Sequence, residues 1–181
     1  MSYRAKGEEP SIPTEEQRIR SHLSIDLLHG WRNPPGINEN GSLNPEKLRS
    51  WISRAHELAC ASGRGEIADH HIGQVLVYYP SGADGAWPHE TLRGLLEDLE
   101  SDDIEDGIST GIYNGRGVVT RSIGEGGAQE RAIAERYRDL ARILSSSWPR
   151  TARLMKKIAD SYEADAHHED NRAELDEDLY K

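Results

Sequence analysis

Cysteine occurs once, at Cys60, and phenylalanine is missing altogether from the 181 residues. One thiol excludes an internal disulfide and any cysteine-rich zinc site. No apolar run approaches the ~18 residues that a bilayer-spanning helix needs. The opening residues Met-Ser-Tyr-Arg-Ala-Lys-Gly-Glu-Glu-Pro lack the apolar stretch of a signal peptide, so a cytoplasmic protein is expected. Aromatics amount to 6%, which leaves Leu, Ile, Ala, Tyr and Trp to build the core. Catalytic signatures are also missing: there is no His-Glu-x-x-His and no Gly-x-Ser-x-Gly. Gly124-Glu-Gly-Gly-Ala-Gln-Glu at a helix start has the form of an anion cradle. Its spacing matches neither the dinucleotide fingerprint nor the P-loop, and Glu125 would repel phosphate. Asp84-Gly85 lacks the further oxygen ligands of a calcium loop. Cys60 reads as a mid-helix residue, away from a helix N-terminus that would activate it. No cofactor and no metal are therefore expected, and no residue is given a catalytic role.

What the chain has in quantity is charge. Charged residues make up 30% and the net charge is −10, which argues against a general nucleic-acid or anionic-membrane surface. The charges are segregated. Residues 97–106 hold seven carboxylates and no cation, whereas residues 130–157 hold eight cations against three acids. Residues 160–181 then return nine acids against two cations. A solvated face accounts for such blocks most simply, but a basic hairpin can also meet an acidic partner.

The apolar pattern is helical throughout. After a charged lead-in at 1–12 that holds Gly7 and Pro10, Ile19, Leu23, Leu27 and Leu28 recur at helical spacing up to Gly30. Asn44-Pro45 is a helix start, with Asn as cap and Pro in the first turn. Leu48, Trp51, Ile52, Ala55, Leu58 and Ala59 form its face. A third helix spans about 66–79, with Ile67, Ala68, Ile72, Val75, Leu76 and Tyr79. Trp87-Pro88 opens a fourth, where Leu92, Leu95, Leu96 and Leu99 give the cleanest amphipathic signature. Ile104, Ile108 and Ile112 mark a fifth, with Gly107 and Gly111 spaced to let another helix approach closely. Val118–Arg121 could be a short extended piece without a partner. Helix 128–146 carries Ile133, Tyr137, Leu140, Ala141 and Leu144, and a helix from Pro149 carries Ala152, Met155, Ala159 and Tyr162. The expected fold is all-α, a bundle or short stack of about seven antiparallel helices. Residues 13–164 would form a single helical domain, followed by an acidic flexible tail at 165–181.

Histidine pairs occur at His70-His71 and His167-His168. Neighbours on a helix point about 100° apart, so neither pair grips one metal by itself. His71 falls at the edge of an apolar face, and His70, His167 and His168 fall toward solvent. A bridged site remains as an alternative, with His56 of the second helix meeting His71 among nearby carboxylates in a metal-dependent enzyme.

Trp148-Pro-Arg-Thr-Ala-Arg, Ile158-Ala-Asp-Ser-Tyr-Glu, Asp84-Gly-Ala-Trp-Pro88 and Asn114-Gly-Arg-Gly-Val-Val-Thr-Arg121 together resemble an uncharacterised bacterial all-α domain family. The resemblance covers most of residues 25–170. It brings no assigned activity and no catalytic residue, and it implies an accessory module.

The leading expectation is a cytoplasmic helical module of a bacterial multi-component system that binds another protein or a second copy of itself. Arg131, Arg138, Arg142, Arg150, Arg153, Lys156 and Lys157 are the candidate contact residues, because the apolar faces of their two helices leave them toward water. Nucleic acid bound along the basic helices 131–157 is the third reading, disfavoured by the acidic neighbours, and no membrane role is expected.

Overall fold

The computed structural model describes residues 14–38, 41–117, 119–120, 122 and 125–179. Seven α-helices occur among them: α1 (Glu15–Gly30), α2 (Pro45–Ala61), α3 (Gly65–Leu76), α4 (Glu90–Leu99), α5 (Asp102–Gly115), α6 (Ala128–Leu144) and α7 (Pro149–Leu179). The fold is all-α. The described residues contain no strand, only one isolated antiparallel bridge between Ile37 and Leu43. No helix among them is long and apolar enough to cross a membrane. The expected lead-in at 1–12 and the glycine at 124 lie outside the described residues. So do Val118 and Arg121 of the expected extended piece, whose Val119 and Thr120 have no regular structure.

The chain divides into two compact units, Met1–Tyr79 with Ser101–Ile112, and Pro80–Glu100 with Tyr113–Lys181. In the first, Asn44 caps α2 by accepting the Lys47 N–H at 2.9 Å, with Pro45 in the first turn. Helices α2 and α3 run antiparallel through a tight turn, in which Arg64 N–H returns to the Ala59 carbonyl at 2.9 Å. Leu48, Ile52, Ile72, Val75, Leu76, Ile104 and Ile108 are buried. Gly107 faces the His70 carbonyl, and Gly111 faces Gln74 and Val77. Helices α3 and α5 therefore run in the same sense and meet at backbone distance, as the paired glycines allow.

Two expectations about apolar faces need correction here. Ile19 and Leu23 on α1 are 53% and 65% exposed, and Leu58 on α2 is also exposed. Helical periodicity alone does not supply a partner surface. The side chains of Leu27 and Leu28 lie outside the described residues.

In the second unit, α6 and α7 form an antiparallel hairpin. Tyr137 stacks on Tyr162 with ring centroids 6.3 Å apart. Tyr137, Leu140 and Leu144 pack with the buried Ala152, Met155, Ile158, Ala159 and Tyr162 side; Ile133 is only half-buried, and Ala134 takes the buried position. Leu92, Leu95 and Leu96 of α4 are buried, and Leu99 is half-buried. Glu97 at the far end of α4 caps α7, accepting the Arg150 and Thr151 N–H groups at 3.0 and 2.8 Å and the Thr151 hydroxyl at 2.9 Å. Arg93 is 1% exposed. It donates to both Asp84 oxygens at 2.6 and 2.8 Å and to the Ala86 and Pro88 carbonyls, each at 2.5 Å. A buried guanidinium is tolerable only when saturated in this way. Helix α7 continues to Leu179, well past position 164 where helical periodicity fades from the sequence.

Candidate functional site

Arg131, Arg138, Arg142 and Lys156, expected to face a partner, pair within their own hairpin. Arg131 bonds Asp170 and lies 3.6 Å from Glu163. Arg138 donates to Glu163 at 2.5 Å and reaches Glu135 at 3.3 Å. Arg142 reaches Glu135 at 2.7 Å and Asp139 at 2.8 Å. Lys156 pairs with Asp160 at 3.3 Å, one helical turn away. The antiparallel register causes the first two, because it sets Glu163 and Asp170 of α7 level with Arg138 and Arg131 of α6; Arg142 and Lys156 find their partners within their own helices. The Glu163 and Asp170 carboxyls are held below their ordinary values, chiefly by hydrogen bonds from Arg138 and Arg131. Arg150 is half-buried beside Glu97, and Arg153 and Lys157 are exposed.

The histidines sort differently from one another. His167 and His168 are exposed, while His70 and His71 are half-buried on α3. Among the described residues no group of three or more His, Cys, Asp or Glu side chains could hold a metal ion. His56 does not bridge to His71 as the metal reading required; its partner is Asp69.

Among the described residues, that pairing is part of a hydrogen-bonded row of three side chains. His56 Nδ1 lies 2.8 Å from Asp69 Oδ1, and His56 Nε2 lies 3.2 Å from Cys60 Sγ. The Asp69 side chain is 11% exposed and the His56 side chain 47%. A carboxylate oxygen facing Nδ1 favours the tautomer with the proton on Nδ1, and in that neutral tautomer Nε2 accepts from the thiol. Each part has a local cause. His56 and Cys60 are four residues apart, hence on one face of α2. The short α2–α3 turn then folds Asp69 back opposite His56.

Cys60 was expected mid-helix, but α2 ends at Ala61, so it stands in the last turn. The chain reverses within four residues and packs the sulfur on the first residue of α3. A Cβ added at Gly65 would lie 2.7 Å from Sγ and 3.7 Å from His56 Cε1, so any larger residue there would push the thiol from this position. No side chain caps α3, and its first N–H to be satisfied along the helix is that of Ala68, bonded to the Arg64 carbonyl at 3.0 Å. The sulfur thus lies against the first residue of α3, at the helix end where backbone N–H groups lack intrahelical acceptors and the dipole is positive. The α2 spacing of His56 and Cys60 was visible in the sequence as a shared helical face; the contribution of Asp69 and Gly65 was not.

Comparison with protein-family models, curated proteins and solved structures finds no match to this chain.

Proposed function

We propose that this chain carries out thiol-dependent acyl transfer, with Cys60 as nucleophile, His56 as general base and Asp69 as the group that orients the imidazole. The observation that carries the reading is the hydrogen-bonded row Cys60–His56–Asp69, at 3.2 and 2.8 Å. Such a row is the minimum that nucleophilic catalysis asks for: a nucleophile in reach of a base, and the base oriented by a third group. In the step proposed, Cys60 Sγ bonds the acyl carbon while His56 Nε2 takes the thiol proton and returns it to the leaving atom. Water then cleaves the thioester and restores the thiol. The N–H groups at the start of α3 are the donors available to the oxyanion.

The test is simple because the chain has one cysteine. Acylation by an activated ester and alkylation by iodoacetamide are followed for the wild type, His56→Ala, Asp69→Asn and Cys60→Ser. His56→Ala is expected to slow both reactions by roughly 100-fold, the usual worth of a general base. Asp69→Asn slows them by roughly tenfold or more, and Cys60→Ser abolishes both. An unchanged rate in His56→Ala removes the relay.

A second reading, a cytoplasmic helical module that binds another protein or a second copy, is favoured by the turn end of the α6–α7 hairpin. Residues 140–157 contain Arg142, Arg150, Arg153, Lys156 and Lys157 and no carboxylate, and Ile143 among them is 62% exposed. Arg131 and Arg138, bound to Asp170 and Glu163, contribute less to that surface, and so do Arg142 and Lys156, which pair with Glu135, Asp139 and Asp160. Sedimentation of an Arg153→Glu, Lys157→Glu variant at low and high salt tests it. Association that survives the charge reversal unchanged ends this reading.

A further inference from the structure

The first turn of α4 holds an arrangement that the Cys60 chemistry does not use. His89 stands just before the helix, with a backbone outside the helical range, and serves as its cap. The Thr91 N–H donates to His89 Nδ1 at 3.1 Å. The same nitrogen lies 3.3 Å from Glu90 Oε2. One ring nitrogen therefore faces a backbone N–H and a carboxylate together. A backbone N–H only donates and an ionised carboxylate only accepts, so no single protonation state of Nδ1 serves both. When Nδ1 is bare it accepts from Thr91 and meets Glu90 lone pair to lone pair. When Nδ1 is protonated both ring nitrogens are donors. The ring then suits Glu90, and the Thr91 N–H joins the unsatisfied donors of the helix start.

The charged groups beside His89 are Glu90 of α4 and the pair Asp84–Arg93, which closes the loop before α4. The Glu90 carboxyl is held below its ordinary value, first by a hydrogen bond with its own backbone N–H and then by the charges of His89 and Arg93. Asp84 is held far below its ordinary value by the Arg93 hydrogen bond. Both carboxylates thus stay ionised between about pH 5 and 8, the interval in which an ordinary imidazole changes charge. The His89 side chain is 29% exposed, so protons reach it from solvent. The positive end of the α4 dipole favours the bare ring, and the Glu90 carboxylate favours the protonated one. We propose that His89 is a proton-operated cap of α4: the neutral ring closes the first turn, and the protonated ring leaves Thr91 for Glu90 and loosens that turn. The preceding loop does not open with it. Glu90 Oε1 accepts the Ala83 N–H at 3.1 Å, leaving Oε2 for the ring. Arg93 still holds Asp84, and the His89 carbonyl still accepts from the Leu92 and Arg93 N–H groups at 2.8 and 3.1 Å. A proton therefore changes the entry to α4 alone.

The experiment follows the intact, nitrogen-15-labelled chain by NMR between about pH 7.5 and about pH 5, the two sides of the imidazole range. Ring-nitrogen shifts report where His89 carries protons, and amide exchange with water reports the caps. Near the upper pH Nδ1 is expected bare, and near the lower both nitrogens protonated. Across that interval the protection of the Thr91 amide, corrected for the intrinsic pH dependence of exchange, should fall by about fivefold or more, the usual worth of a helix cap. The Ala83 amide should keep its protection. In His89→Asn the side-chain carbonyl caps at every pH, so Thr91 protection should become independent of pH. Where that variant does not fold, the contrast between Thr91 and Ala83 in the wild type decides alone. Three results overturn the proposal: a proton on Nδ1 near pH 7.5, a ring that does not titrate across the interval, or a titrating ring with unchanged Thr91 protection. Equal losses at Thr91 and Ala83 also overturn it, because the whole loop would then be opening. A His89→Asn response like that of the wild type assigns the effect to another group.

Discussion

Gly107→Ala should unfold the chain more readily by far more than a methyl group suggests. The added Cβ would lie 2.0 Å from the His70 carbonyl oxygen and 3.0 Å from Gly73 Cα. Ordinary contact begins at 3.4 Å, so α3 and α5 would have to part by about 1.4 Å in a core that does not compress. The obstacle is backbone, which has no rotamer to yield. Overpacking of this kind destabilises by about 1–3 kcal/mol. Alanine's helix preference over glycine returns about 1 kcal/mol, but separating the helices also loosens Ile72, Val75, Ile104 and Ile108. A net loss of about 1–2 kcal/mol follows, or roughly 2–8 °C in Tm for a chain of this size. Thermal and urea unfolding followed by circular dichroism measure it. Gly94→Ala is the control, since its Cβ meets only Trp148 Cζ3 at 3.7 Å, and it should stabilise α4 by up to about 1 kcal/mol. A Gly107→Ala midpoint at or above the wild type would show that α3 and α5 do not cross at this glycine.

Other outcomes follow from the same geometry. Glu97→Ala, which strips three hydrogen bonds from the start of α7, should lower stability by about 1–2 kcal/mol in urea. Burial pushes the Tyr79 hydroxyl, which donates to the Pro35 carbonyl at 3.0 Å, up to about 12 from 10.0. Above pH 10 the unfolded chain loses this proton first. Stability therefore falls as pH rises from 10 to 12, and Tyr79→Phe should flatten that limb of the pH–stability curve. Glu163 and Asp170 have lowered values in the folded state, so the stability they supply is present above the ordinary carboxyl range and is lost as pH falls through it. Asp170→Asn should reduce the acid sensitivity of hydrogen exchange at the start of α6, where Asp170 Oδ1 accepts the Gly127 N–H at 2.8 Å. Gly65→Ala should displace the thiol and slow iodoacetamide alkylation several-fold; an unchanged rate would place the sulfur away from α3.

The helices were legible in the sequence wherever apolar spacing and a cap coincided. Asn44-Pro45, Trp148-Pro149 and the leucines of α4 are such places, since a cap and a one-sided apolar stripe are local properties of consecutive residues. Spacing was a poor guide to burial on α1, where Ile19 and Leu23 stand in water, because a stripe does not reveal whether another surface covers it. The end of α7 was hidden for the opposite reason. Its acidic second half looks like a frayed tail until the register brings Asp170 to Arg131 and Glu163 to Arg138.

Composition, charge segregation and periodicity thus determined an all-α chain with a basic segment between acidic ones. Tertiary structure alone decided where those charges go and which polar groups meet. Arg131 and Arg138 of α6 are neutralised by residues 39 and 25 positions away, and Arg93 is buried because a loop closes around it. His56 and Cys60 share a helical face by spacing, but Asp69 and Gly65 reach them only through the α2–α3 turn. Hydrogen bonds of 2.8 and 3.2 Å are three-dimensional facts, and a one-dimensional pattern constrains direction along a helix without fixing which helix lies opposite.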